Sequence, residues 1–359
     1  MGSKQYYYFL LGLLASVIVI AVCGIILLQF LQGCEDAELH HVIVLARHGE
    51  RYPIIPLPGL QYRFAELTPY GIQQMQILGQ RLLNRYHSFI ASLTDVHRIV
   101  TLDERCIDSS REILSALGLN STSFKKLPPL FPDGLTGLYE FLKPIYGYVL
   151  PQIPECIRLL VKKQVPTNAS ANWIAFQSLL IMESIDALNK SMMHLPTGLE
   201  FSDNCVPFDR VVLTPEMFFN LTWCTVPLLM PTIDHLLLQV LSMAKPPLKA
   251  GQLPNNQQST IITRTLGAET ISKRGRSSLS VYGISDLQIE LLLMCSRAEG
   301  SIPTRPKNGA YIIFEIRADE IRMFFGSQWN AKAVTEISLD SRTFVEIIRS
   351  CRYIIEPIR

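Results

Sequence analysis

Arg47-His48-Gly49-Glu50-Arg51-Tyr52-Pro53 places an imidazole between two guanidiniums, directly after the apolar, β-branched run 41–46. An imidazole can act as a nucleophile. Guanidiniums are rigid, permanently charged forks whose N–H donors match phosphate oxygens, and two of them flanking one histidine can close on a single phosphate. Gly49 permits close backbone approach, and Pro53 stiffens the exit from the loop. The competing reading of these residues is a solvated basic turn at a strand end. Type and spacing together favour chemistry on a phosphorylated ligand.

The segment resembles the R-H-G-x-R-x-P signature of the histidine acid phosphatases, a branch of the phosphoglycerate-mutase-like superfamily. The resemblance implies that His48 attacks phosphorus to form a phosphohistidine, while Arg47 and Arg51 hold the phosphoryl group. Leu67-Thr68-x-x-Gly71-x-x-Gln74-x-x-x-Leu78-Gly79 resembles a second block of the same family. Downstream of a strand expected at 98–101, Arg105, Arg111, Ser115 and Ala116 resemble the family's second phosphate-binding block. Arg105 is thereby implied as the third phosphate ligand, at a strand end where side chains of parallel strands enter the crevice. Arg111 reads as structural or surface.

Residues 278–294 resemble the family's third block, Y-S-A-H-D followed by a helix. In that block the aspartate protonates the leaving alcohol and the preceding histidine donates to the phosphate. The aspartate is kept as Asp286; Ser285 stands where the family has histidine. Taken without the resemblance, Ser285-Asp286 ahead of a helix would serve as an N-cap with no chemistry. One oriented donor to a developing oxyanion is worth about 2.7–4 kcal/mol, roughly a hundred- to a thousandfold in rate. A serine hydroxyl can recover part of that through a bridging water. His40, His41, His87, His97, His194 and His235 are not at expected strand ends beside the crevice, so the replacement reads as uncompensated.

The resemblance implies an acid phosphatase that hydrolyses phosphate monoesters through phospho-His48, with Asp286 as acid and with activity weakened by Ser285. The alternative is a catalytically inactive, phosphate-binding pseudophosphatase, for which Ser285 is the only support in the sequence. A phosphatase specialised for glycan or inositol phosphates is a third reading that the sequence does not select. No metal or organic cofactor is implied. Members of the family are often dimers, which leaves a homodimer open.

Composition bounds the setting. A formal net charge of +2 and the lack of a long basic run argue against a nucleic-acid partner. Residues 6–31 are almost wholly apolar and uncharged, enough to cross a hydrocarbon layer of about 30 Å as a helix. Lys4 precedes this run and Glu35, Asp36 and Glu38 follow it, which orients the N-terminus to the cytosol. The expectation is a single-pass type II membrane protein, signal-anchored, with its remaining chain lumenal or extracellular. N-x-[ST] sequons at Asn120, Asn168, Asn189 and Asn220 fit that compartment. Of the eight cysteines, Cys23 lies in the apolar run and no C-x-x-C pair occurs, so disulfides are a better reading than zinc. Resemblance to lysosomal and prostatic acid phosphatases implies Cys156–Cys351. Cys205 and Cys224 could form a second bridge by proximity alone, and Cys106 and Cys295 read as buried free thiols.

The elements that must position these residues follow from pattern. A helix is expected from Pro69 to Leu83, capped by Thr68, with Ile72, Met75, Leu78 and Leu82 facing the core and Gly79 at a close contact. Helices are expected near 107–117 and 288–294, a strand at 278–282, an antiparallel terminal hairpin at 310–316 and 321–325, and a closing helix at 343–351. Residues 122–243 read as helical and loop-rich, and 249–273 as a polar surface loop. The expected fold is a phosphoglycerate-mutase-like three-layer α/β domain over 35–359 with a helical insert at about 122–243. One transmembrane helix within residues 1–34 precedes it.

Overall fold

The computed structural model describes residues 39–55, 64–100, 103–119, 124–127, 134–190, 236, 277–295, 306–317, 320–328 and 335–339. Strand β1 (Leu39–Arg47) leads through helices α1 (Pro69–Arg85) and α2 (His87–Ala91) to β2 (Asp95–Val100). Helix α3 (Glu104–Ala116) and the short β3 (Lys125–Lys126) follow. Then come α4 (Gly134–Leu142), α5 (Tyr146–Val149), α6 (Glu155–Gln164) and α7 (Ala171–Lys190). The chain returns with β4 (Ser278–Ile284), α8 (Asp286–Cys295), β5 (Tyr311–Arg317), β6 (Ile321–Gly326) and β7 (Thr335–Leu339).

These strands form one seven-stranded sheet in the order β3-β2-β4-β1-β5-β6-β7. The first four strands run parallel, and β5, β6 and β7 continue antiparallel from β1. Side chains alternate across a strand, so β1 serves two cores at once. Ile43 and Leu45 pack with Tyr282, Ile312, Phe314 and, from α8, Ile289 and Leu292. Val42, Val44 and Ala46 face the opposite way, onto Met75, Leu78 and Leu82 of α1 and Ile113 and Leu114 of α3. Helices therefore cover both sheet faces, the three-layer arrangement expected, and every residue of β1 from His41 to Arg47 is buried.

Helix α1 forms as the sequence implies. Pro69 occupies its first turn and the Thr68 side chain accepts from Gly71 N. The core face is shifted from the expected one: Gly71 and Gln74 are buried and Ile72 only half-buried, because the first turn faces the His48 loop and not the apolar layer. Gly79 has the predicted close contact, since a Cβ there would lie 2.6 Å from the Ile113 carbonyl.

The helices between β3 and β4 carry a core of their own. Tyr146, Val149 and Ile157 pack against Phe176, Ile181 and Ile185 of α7, with Ile54 and Ile55 of the signature loop laid against the same cluster. Loop and insert are thus joined by apolar contact. The hairpin β5–β6 is present, but β7 extends it, so it is not terminal.

Several expectations fall outside the described residues: the apolar run 6–31, the loop 249–273, the helix at 343–351, His194, His235, Asn120, Asn220 and the Cys205–Cys224 pair. Among the described residues no helix is long and apolar enough to cross a membrane. Cys156 is disulfide-bonded, and its expected partner Cys351 lies outside the described residues. Cys106 is buried and not disulfide-bonded, as read from sequence. Asn168 is exposed.

Candidate active site

β1, β4 and β2 are parallel neighbours, so their carboxyl ends open on the same edge of the sheet. The connection after β1 leaves toward β2, whereas β5 lies on the other flank of β1. A switch of this kind is where open α/β sheets leave a crevice. The last paired residues are Arg47 and Ile284, and the next along each strand are His48 and Ser285. Register alone sets the nucleophile candidate beside the position that departs from the family pattern.

The loop after β1 is clamped from three sides. Gly49 N donates to Ser109 Oγ of α3 at 3.1 Å, and Glu50 N donates to Gln74 Oε1 of α1 at 2.8 Å. Gly309 N donates to the His48 carbonyl at 3.1 Å. Thr68 Oγ1 donates to Glu50 Oε1 at 2.9 Å. The loop and the start of α1 meet backbone to backbone: a Cβ at Gly71 would sit 1.9 Å from Glu50 O, and one at Gly49 would sit 2.3 Å from Gly71 O. This explains the Thr-x-x-Gly-x-x-Gln spacing at 68–74, whose residues cap the helix, permit contact and hold the loop.

His48 is buried. Its Nδ1 lies 2.8 Å from the Gly49 carbonyl, which can only accept, so Nδ1 carries the proton and Nε2 the lone pair of the neutral ring. Burial, then the charges of Arg47, Arg105 and Arg51, hold this imidazole well below its ordinary value of 6.5. The ring is therefore neutral, with a nucleophilic nitrogen, well into the acidic range.

Each guanidinium near His48 has a carboxylate within ion-pair distance. Arg47 Nη2 lies 3.0 Å from Asp286 Oδ2, and Arg47 Nη1 donates to the Pro306 carbonyl. Arg51 pairs with Glu183 of α7 and donates to Tyr52 O at 3.0 Å. Arg105 Nη2 lies 3.3 Å from Asp103 Oδ2. Burial works against the Arg105 charge, but Asp103 foremost, then Cys106, Asp286 and Glu183, outweigh it and strengthen the cation.

Two sequence expectations are corrected. Arg105 is not on a strand end: β2 stops at Val100 and α3 begins at Glu104, so Arg105 belongs to the first helical turn. Extended Asp103 and acidic Glu104 start that helix earlier than its apolar periodicity implied. Gly283 lets this turn approach β4, since a Cβ there would lie 2.2 Å from Cys106 O. Helix α8 likewise begins at Asp286 and not Gln288. Asp286 is therefore its first residue, and the flanking position falls to Ser285, whose N–H donates to Gln288 Oε1 at 2.7 Å. That is half of a capping box; the other half is unmade, because Ser285 Oγ is buried without a hydrogen-bond partner.

No known family profile matches the chain, and no curated protein sequence does. Several solved structures are similar in shape at low identity. The phytase from Citrobacter braakii is 14% identical, with 88% of this chain and 98% of that chain covered and a TM-score of 0.48. Hafnia alvei phytase in complex with myo-inositol hexakis sulphate is 14% identical over 88% and 97% of the two chains, with a TM-score of 0.47. The Bifidobacterium longum multiple inositol polyphosphate phosphatase in complex with inositol hexasulfate is 11% identical over 81% and 86%, with a TM-score of 0.46.

Of the residues singled out from sequence, His48, Arg47, Arg51, Arg105 and Asp286 come together at this edge. His41 does not join them: it is buried between Ser278 and Ser280, as a satisfied structural histidine. Two carboxylates escaped the sequence reading. Glu183 sits in the apolar stretch Leu179–Leu188, where a charge among buried positions was the only signal. Glu290 lies one helical turn beyond Asp286, is fully buried, and has neither carboxylate oxygen hydrogen-bonded. Its i,i+4 spacing from Asp286 was the available clue.

Proposed function

We propose that this chain hydrolyses phosphate monoesters through a covalent phosphohistidine at His48. The observation that carries the reading is a neutral imidazole with Nδ1–H tied to Gly49 O, among Arg47, Arg51 and Arg105. Nε2 attacks phosphorus, and the bond from phosphorus to the ester oxygen breaks. Asp286, protonated, gives its proton to the departing alkoxide, which leaves as an alcohol. Water then attacks the phosphohistidine; the P–N bond breaks, Asp286 takes the proton from the water, and inorganic phosphate is released. The guanidiniums balance charge on the phosphoryl oxygens throughout, the role for which preorganised donors are most effective.

Arg47 has two tasks in this scheme, since it meets both the phosphoryl group and the Asp286 carboxylate. Ser285 is the weak point. Relative to the histidine of the family pattern, the site lacks a donor worth roughly a hundred- to a thousandfold in rate. A signal-anchored, lumenal or extracellular setting is part of the proposal and agrees with work at acidic pH.

The test is hydrolysis of p-nitrophenyl phosphate from pH 4 to 8 by the region beginning at residue 35, beside His48→Ala. Acid-labile phosphate trapped on His48 and loss of turnover in His48→Ala are the expected results. Folded protein that turns nothing over, with Ser285→His restoring activity, would replace this reading by the inactive phosphate-binding one.

A further inference from the structure

We infer that Glu183 is a specificity-determining residue that restricts the site to monophosphate esters with an uncharged or cationic leaving group and excludes polyphosphates. The inference rests on the phosphomonoesterase reading above and names its substrate class. Glu183 is carried by α7, whose neighbouring residues Met182 and Ile185 are buried in the core of the insert, so its backbone is fixed. Its carboxylate pairs with Arg51 and acts on Arg105 as well, and both of these arginines act on His48. An acid of the insert thus stands among the cations that surround the nucleophile candidate.

The charge count explains the consequence. Among the described residues around His48, three guanidiniums face three carboxylates: Arg47 with Asp286, Arg51 with Glu183 and Arg105 with Asp103. With His48 neutral, this set is balanced while Asp286 is ionised and carries one surplus positive charge once Asp286 holds the proton of the proposed first step, which matches a single phosphoryl group. One phosphoryl group is accommodated by taking guanidinium donors in place of a carboxylate oxygen. A second phosphate on the same ligand would meet the displaced Glu183 carboxylate at close range, and like charges so placed are strongly discriminated against. Hydroxyl or ammonium groups on the leaving group would instead find an acceptor, because an ionised carboxylate only accepts.

Calorimetric binding separates this inference from catalysis, because inorganic phosphate and inositol hexasulfate both bind without turnover. The wild-type protein should bind inositol hexasulfate no more than about tenfold tighter than inorganic phosphate, and Glu183→Gln should shift that ratio toward the hexasulfate by about tenfold or more. Glu183→Asp, which keeps the charge, should retain the wild-type ratio. Equal gains for both ligands in Glu183→Gln would mean that the acid merely competes for Arg51, and would overturn the inference. So would a wild-type preference for the hexasulfate of about a hundredfold, which requires no variant to fold. Turnover of p-nitrophenyl phosphate by the wild type, measured in parallel, decides the hydrolase reading independently of the ratio.

Discussion

Arg47 Nη2 and Asp286 Oδ2 stand 3.0 Å apart, joining the end of β1 to the first turn of α8. Both side chains are largely shielded from water, with 3% and 12% of their surface exposed. The pair links the candidate phosphate ligand to the candidate proton donor, so a change at either should be felt by the other.

Asp286→Asn should lower kcat by about a hundred- to ten-thousandfold on an alkyl phosphate, whose leaving oxygen needs a proton. On p-nitrophenyl phosphate, which leaves readily as an anion, the first step should be much less affected. Kinetics with the two substrates check this. An equal loss of kcat/KM, which reports the step that expels the leaving group, on both substrates would deny Asp286 the role of acid.

Protonation of His48 should not limit the enzyme at acidic pH. Burial and then Arg47, Arg105 and Arg51 keep its folded-state value well below 6.5. A profile of kcat/KM from pH 7 to 4.5 should therefore show no tenfold fall per unit beginning at 6.5. Such a fall, with NMR showing the His48 imidazole protonating over the same range, would contradict the neutral nucleophile.

Gly71→Ala should cost about 1–3 kcal/mol or more by overpacking, because its Cβ would lie 1.9 Å from Glu50 O and the neighbour is backbone. Gln74→Ala should cost about 1–3 kcal/mol by leaving Glu50 N without its acceptor. Urea unfolding measures both. Activity should fall beyond what lost stability explains, since both changes move the loop that carries His48.

Glu290 should contribute more to stability in acid than at neutrality. Burial, then repulsion from Asp286, pushes its carboxyl up from 4.5 to about 7. The folded chain therefore holds a proton that the unfolded chain releases between those values, and stability falls as pH rises through that window. Glu290→Gln should raise Tm at pH 7.5 and have little effect at pH 4.5. A gain of the same size at both pH values would rule out ionisation as the cause.

The signature loop, the capped helix α1 and the alternation in β1 were legible in sequence because each depends on neighbours along the chain. Thr68 caps through a residue three positions on, and a β-branched run reads as a buried strand wherever it occurs. Boundaries were less legible: α3 and α8 each start earlier than their apolar pattern, since polar Asp103, Glu104 and Asp286 begin them. β7 was missed for lack of a pairing partner in view, its strand character being supplied by β6.

The sequence by itself determined which groups could do chemistry: a histidine between arginines, an aspartate before a helix, and a serine where the family pattern has histidine. Tertiary structure alone decided what each faces. Register sets His48 beside Ser285, Gly49 fixes the tautomer of His48, and Asp286, Glu183 and Asp103 are each brought within ion-pair distance of an arginine. Glu183 reaches Arg51 across 132 positions of chain, and no local pattern encodes such a pairing. It arises because the insert packs against the loop through Ile54 and Ile55, and the resulting shape, not the composition, determines which charges oppose one another.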